Sequence, residues 1–230
     1  MGHEKSVVAR AAAGLVEPGM TVGLGTGSTV AHLLSALVRR GTPATYVATS
    51  PHTEEQARAL RLRVLPFGTI ERFDLAIDGA DQVAPDGWLV KGGGAAHTRE
   101  KVVAATADRF VVIVDSTKPV AVLAPPVPIE ILSFGGASTL RRLAAVGPVR
   151  LRSGAVPSPD GGLICDYLGP VGDPERLAAA LQSVPGVVAH GLFPPRMVAD
   201  VLVGRGDEVE WRRTAPLRPP VRRGGRPGRS

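Results

Sequence analysis

Four short apolar runs, TVGLG (21–25), ATYVATS (44–50), DLAID (74–78) and RFVVIVD (109–115), alternate with stretches of helical periodicity, and this alternation constrains the chain most. A helix over 4–17 precedes the first run. STVAHLLSALVRR (28–40) is helical and stops at Gly41, TEEQARALR (53–61) is a helix with Thr53 as its capping residue, RVLPF is a short strand, and a further helix lies around 97–107. Strands that alternate with helices in this way predict a largely parallel sheet covered on both faces.

After the proline-rich APPVP (124–128) the pattern changes to strand 128–132, helix 137–146, strand 148–152, strand 162–166, helix 173–183 and strand 186–190. That is the split β-α-β-β-α-β order of a ferredoxin-like unit. MVADVLVG (197–204) then reads as a strand returning to the first sheet. The expected division is a main domain over 1–126 completed by 197–210, a small α+β domain over 127–196, and a disordered arginine-rich tail over 211–230.

Composition removes several classes of function. A single cysteine, Cys165, rules out an internal disulfide and a thiolate-rich metal site, and fits a reducing cytoplasm. No run approaches the roughly 18 apolar residues of a membrane helix, and Glu4 stands where a signal peptide would be basic and then apolar. The net charge of +6 suggests nucleic acid, but residues 211–230 hold seven arginines and no acid, which leaves −1 for the first 210. The body therefore has no basic bias, and beyond Trp211 the tail has no aromatic residue to stack on bases. Of 27 basic residues only Lys5, Lys91, Lys101 and Lys118 are not arginine. Lysine is a compact point charge and arginine a planar fork, so these four positions invite a role, with chance surface retention the default for Lys101.

Four segments carry candidate chemistry. GLGTGST, from Gly23 to Thr29, lies between a strand and a helix, where backbone N–H groups and the helix dipole suit a phosphate or a cluster of hydroxyls, with a purely structural tight turn the alternative. It lacks the lysine and spacing of a P-loop, and the third glycine of a dinucleotide fingerprint would fall at Ser28. DGAD, Asp78 to Asp81, ends an apolar strand; its carboxylates suit sugar hydroxyls, proton shuttling in ring opening, or, with less support, a divalent ion. In KGGGAAHTREK, Lys91 to Lys101, three consecutive glycines imply close approach to a ligand or positive φ. Lys91 enters that loop and Glu100 leaves it, a cation and a carboxylate of the kind that proton abstraction beside a carbonyl needs, with His97 a competing base. VDSTK puts Lys118 beyond a buried strand, placed to meet an anionic substrate.

Together GTGST, DGAD, KGGGAAHTREK and DSTK, with PIEI (128–131), TLRRL (139–143) and PGVVAHGLF (185–193), resemble the A-type ribose-5-phosphate isomerase family over roughly residues 4–205. The resemblance implies an α/β fold, with a Rossmann-like, mostly parallel sheet and a second, smaller ferredoxin-like α+β domain. It implies Glu100 as proton acceptor, and Thr26, Gly27, Ser28, Thr29, Asp78, Gly79, Ala80, Asp81, Lys91, Gly92, Gly93, Gly94 and Lys118 as substrate-binding. It further implies a cytoplasmic enzyme of the pentose phosphate pathway with no cofactor, acting on a sugar phosphate as a homo-oligomer, a dimer or a tetramer. No metal is expected either, because Asp78 and Asp81 have no third ligand nearby and the five histidines are scattered. Two features depart from the family: SPDGGLICD (158–166) replaces an asparagine-containing turn, and the arginine tail is foreign.

The expected reaction opens the aldose with help from Asp78 or Asp81, and Glu100 then carries the C2 proton to C1 through a cis-enediolate. Lys91 and the glycine-loop N–H groups hold the oxyanion, while Lys118 and Lys5 attract the phosphate. A non-catalytic sugar-phosphate-sensing module of similar fold is the alternative, disfavoured by the intact Glu100 and Lys91.

Overall fold

The computed structural model describes residues 2–154 and 157–214. Along the chain these form α1 (Gly2–Ala13), β1 (Thr21–Leu24), α2 (Ser28–Arg40), β2 (Thr45–Ala48), α3 (Pro51–Ala59), β3 (Leu75–Asp78), β4 (Gln82–Val83), β5 (Leu89–Val90), α4 (His97–Thr106) and β6 (Phe110–Asp115). There follow β7 (Val127–Ile131), α5 (Gly136–Leu143), β8 (Val149–Leu151), β9 (Leu163–Tyr167), α6 (Pro174–Gln182), β10 (Val187–His190), β11 (Leu192–Phe193), β12 (Asp200–Arg205) and β13 (Glu208–Arg213).

The main sheet has the order β13-β12-β6-β3-β1-β2. All its pairings are parallel except β12 with β13. All six residues of β6 are buried, as a central strand with helices on both faces requires. Its side chains alternate between two cores: Val111 and Ile113 pack with α1, α2 and α3, whereas Phe110, Val112 and Val114 pack with α4 and Phe193. β12 divides in the same way, Leu202 to the first core and Val201 and Val203 to the second. From β1 the chain passes to β2 on one side and then to β3 on the other. That reversal opens a crevice at the carboxyl ends of β1 and β3, where open α/β sheets bind ligands.

A second sheet, antiparallel and ordered β10-β7-β9-β8, packs with α5 and α6 around Ile129, Ile131, Leu143, Cys165, Tyr167 and Leu181. Its strand order is that of the ferredoxin-like unit the sequence predicts. A third sheet, β11-β5-β4, is not expected from sequence. Each of its strands has two residues, too few to show a period. It joins the two halves: β11 follows β10 directly and pairs with β5, and the Lys91 amide donates to the Gly191 carbonyl at 2.8 Å.

Several boundaries differ from expectation for physical reasons. The first helix ends at Ala13, where Gly14 and then Pro18-Gly19 break it. The cap of α3 is Ser50, whose hydroxyl accepts from the Thr53 amide at 3.1 Å, and not Thr53 itself. RVLPF makes only an isolated bridge, Val64 to Tyr46. The strand expected at 197–204 begins at Asp200, because Pro195–Met197 is a short 3-10 turn.

The expected tail also starts too early. Trp211, Arg212 and Arg213 lie in β13, paired with Leu202, Val201 and Asp200, while residues 215–230 lie outside the described residues. The Trp211 indole N–H donates to Asp200 at 2.8 Å, and Arg109 donates to the other carboxylate oxygen at 2.9 Å while its guanidinium lies 5.8 Å from the indole centroid. Asp200 is fully buried, so each of these partners matters. Ending the chain after Glu210 is therefore expected to lower stability by about 1–3 kcal/mol, through lost ladder bonds and an under-bonded buried carboxylate. Denaturant unfolding of the shortened and full chains, with Trp211→Ala as the single-residue comparison, measures this.

Candidate active site

At the crevice between β1 and β3 lies a cleft of about 150 Å³. Its wall is formed by Lys5 from α1, Thr26, Gly27, Ser28 and Thr29 after β1, Gly79, Ala80 and Asp81 after β3, Lys91 to Gly94 after β5, Glu100 from α4 and Lys118 after β6. Every residue given a catalytic or substrate-binding role from the sequence is in that wall except Asp78, which lies behind it. The competing base His97 is wholly buried elsewhere, and Lys101 does not line the cleft.

At the base of the wall, one ammonium is shared by two carboxylates. Lys91 Nζ lies 2.8 Å from Asp78 Oδ2 and 3.1 Å from Glu100 Oε2, and it donates to the Gly79 carbonyl at 2.5 Å. Three acceptors use the three protons of the ammonium. Asp78, Lys91 and Glu100 are 3%, 3% and 5% exposed. The close approach explains a glycine as well: a Cβ at Gly25 would fall 1.7 Å from Asp78 Oδ1.

This arrangement divides the two acids. Burial, followed by the repulsion of Asp78, pushes Glu100 up to about 8 against the pull of Lys91. Burial raises Asp78 too, opposed chiefly by Lys91. Burial alone would lower Lys91, but the two carboxylates outweigh it and its proton is held more tightly than usual. A single cation cannot neutralise two buried anions, so one acid retains a proton near neutral pH. Asp78 is the better-supported anion, because its Oδ1 also accepts from the amides of Gly79 at 2.7 Å and Thr26 at 3.1 Å. Glu100 is left as the group that titrates, at the cleft surface, with an affinity suited to taking a proton and returning it.

The other walls suit an anion and hydroxyls. α2 begins at Ser28 with no side-chain cap, so its first N–H groups, the positive end of the helix dipole, have no side-chain acceptor from the N-cap where the helix start lines the cleft. Lys5 donates to Ser28 Oγ at 2.9 Å and lies 3.7 Å from Asp115, which holds the cation beside that helix start. Asp81 is solvent-exposed, and its Oδ2 accepts from the Gly93 amide at 2.9 Å. Gly92 has φ +110°, and a Cβ there would meet His97 Nδ1 at 2.6 Å. Glycine at this position is required on both counts.

His97 is not placed to act as the base. Burial, then the charge of Lys101, lowers it to about 4, and it packs beneath the loop with Nε2 3.4 Å from the Ala189 carbonyl. Lys101 is no surface residue either: its Nζ donates to the carbonyls of His190 at 2.5 Å and Leu192 at 3.0 Å and lies over the Phe193 ring. Sequence reasoning missed Phe193 under the two lysines and Arg152 on the glycine loop, both supplied by the later half of the chain. Among the described residues no cluster of three or more His, Cys, Asp or Glu is arranged to hold a metal ion.

Residues 45–208 match the family model for ribose 5-phosphate isomerase A (phosphoriboisomerase A). Ribose-5-phosphate isomerase A of Gluconobacter oxydans is 44% identical over 91% of this chain and 96% of its own. That of Methanosarcina acetivorans is 42% identical over 89% and 91%. Among solved structures, ribose 5-phosphate isomerase A of Methanocaldococcus jannaschii superposes with a TM-score of 0.86 at 32% identity, covering 91% of this chain and 98% of its own. A D-ribose-5-phosphate isomerase in complex with phospho-erythronic acid gives 0.85 at 31% identity, over 91% and 97%. A family match across most of the chain, close relatives along nearly its full length and the same fold lead to one conclusion: the chain belongs to the ribose 5-phosphate isomerase A family and is an enzyme of ribose 5-phosphate isomerisation.

Proposed function

We propose that the enzyme interconverts D-ribose 5-phosphate and D-ribulose 5-phosphate by moving one proton between C2 and C1 through a cis-enediolate, with Glu100 as the base. The observation that carries this reading is the position of Glu100: buried, in the cleft wall and in contact with Lys91, where burial raises its carboxyl well above the usual glutamate range. The phosphate docks at the open start of α2 between Lys5 and Lys118. Asp81 assists ring opening, since it is the aspartate that reaches the cleft, and Asp78 serves as the fixed counter-ion of Lys91. When ionised Glu100 removes the C2 proton, negative charge grows on the substrate oxygen beside Lys91 and the glycine-loop N–H groups. The newly neutral Glu100 releases its hold on Lys91, which frees that donor to turn toward the enediolate. Glu100 then returns the proton to C1.

The solved relative bound to phospho-erythronic acid supports a phosphorylated sugar acid as a ligand of this cleft. A sensing module that binds without turnover has no residue of its own to rest on, whereas Glu100 and Lys91 form a complete proton-transfer pair. The family resemblance supports a cytoplasmic homo-oligomer, and among the described residues no helix is long and apolar enough to cross a membrane.

Glu100→Gln preserves shape and is expected to lower turnover about 10²–10⁴-fold while substrate still binds. Steady-state kinetics with substrate-binding calorimetry checks both halves, and near wild-type turnover would reassign the base. The pH profile follows from the direction of the shift. A base must be ionised to act, so a pKa raised to about 8 makes kcat/KM rise with pH until that region and level off above it. An acid limb near the ordinary glutamate value would show that Glu100 does not titrate as described.

An aldose and a ketose can also be exchanged by a metal-assisted hydride shift, and the two routes differ in label. A carboxylate that holds the proton lets it exchange with solvent before return. Turnover in deuterated water is therefore expected to put deuterium on C1 of ribulose 5-phosphate, with full activity in strong chelator. Activity lost in chelator and restored by a divalent ion, with no label, would overturn the enediolate route.

A further inference from the structure

Three adjacent glycines have no side chains to fix their peptide planes, yet an oxyanion site needs N–H groups aimed before the substrate arrives. Within the loop the Ala95 amide donates to the Gly92 carbonyl at 3.1 Å, and the antiparallel sheet supplies a further constraint that reaches the Gly93 carbonyl as well. Arg152 lies immediately after β8 and is locked onto Asp166 of β9, with Nε to Oδ2 at 3.0 Å and Nη2 to Oδ1 at 2.6 Å. Its remaining arm, Nη1, donates to the carbonyl oxygens of Gly93 at 3.2 Å and Gly92 at 3.4 Å.

In a trans peptide the C=O and the N–H point in opposite directions. Holding the Gly92 and Gly93 carbonyls toward Arg152 therefore turns the N–H groups of Gly93 and Gly94 the other way. The first of these meets Asp81 Oδ2 at 2.9 Å, and the second belongs to a residue of the cleft wall. A cation on a carbonyl oxygen also polarises the same amide, which makes its N–H a stronger donor.

We propose that Arg152, clamped by Asp166, is a positioning residue for the isomerisation: it sets the peptide planes of Gly92 to Gly94 so that their N–H groups face Asp81 and the enediolate oxygen. This rests on the reading of the cleft given above. The fork is essential to the argument, because one planar guanidinium grips the carboxylate with two nitrogens and the loop with a third, which a lysine ammonium cannot imitate.

The test compares Arg152→Met, Arg152→Lys and Asp166→Asn with the parent enzyme. Expected for Arg152→Met is a fall in kcat of about 10–10²-fold with KM for ribose 5-phosphate changed less than about threefold, since the donors matter most where charge develops. Phospho-erythronic acid, the probe for the charged site, is expected to lose affinity in proportion to kcat. Arg152→Lys restores only part of the rate, and Asp166→Asn, which leaves the arginine in place but loosens it, falls between. A purely structural arginine would lower the melting temperature and leave kcat per folded molecule and probe affinity unchanged, and that result overturns the proposal. Where Arg152→Met fails to fold, Asp166→Asn decides: a kcat within twofold of the parent overturns the proposal, and a loss at unchanged melting temperature supports it. Glu100→Gln run alongside separates the two readings. If it is inactive while the Arg152 variants are fully active, only the positioning role falls; if it is itself fully active, the reading of the cleft falls.

Discussion

A buried ammonium between two buried carboxylates is the condition that the rest of the molecule serves. Charges taken out of water are tolerated only when paired and hydrogen-bonded, and removing one partner of such a set costs about 3–5 kcal/mol because the others are left uncompensated. The three groups come from distant parts of the chain, Asp78 from the end of β3, Lys91 from the loop after β5 and Glu100 from the first turn of α4. The sheet order, the bare approach at Gly25 and the brace through β11 all bring these three together. Their unequal number is the useful part. With Glu100 protonated the set is neutral, and with it ionised the set carries one excess negative charge, so the proton belongs to the group as a whole as much as to one oxygen.

The parallel sheet alone cannot hold Glu100 in place. Each of the residues beside it on α4 is tied to the antiparallel half: His97 approaches the Ala189 carbonyl, Thr98 donates to Glu130, Arg99 grips Asp160 and Lys101 donates to His190 and Leu192. Glu130 is itself buried and also accepts from Ser158 at 2.5 Å. The exposed Arg99 pair adds little by itself. The buried ties to Glu130 and to the carbonyls determine how the helix sits. The small sheet thus acts as a jig for the first turn of α4.

How much of this was legible in the sequence follows from the kind of signal each part leaves. The parallel strands at the centre of the main sheet are largely apolar, and β6 could be read almost to the residue. The two-residue strands β4, β5 and β11 have no period to detect, and β13, an edge strand reading EVEWRR, merges by composition into the arginines that follow it. The cleft loops were legible because three glycines, paired aspartates and rare lysines are unusual at strand ends. Burial was not. Nothing local distinguishes Lys101 from a surface lysine, since its partners arrive about ninety residues later at His190 to Phe193, and nothing local distinguishes Glu100 from a solvated helix acid, since its burial beside Lys91 and Asp78 is a matter of tertiary packing. Arg152 lay beyond reach for the same reason, as one of 23 arginines in the chain.

The place of β12 in the sheet has a consequence for synthesis on the ribosome. β6 lies between β3 and β12, and the whole antiparallel unit comes between β6 and β12 in the chain. A nascent chain that has just emerged through Asp115 therefore presents β6 as an uncovered edge, apolar and unpaired on one side. At translation speeds of about 5–20 residues per second, that edge waits on the order of ten seconds for its neighbour. During that interval the enzyme in the making is a half-sheet whose central strand serves as an open edge.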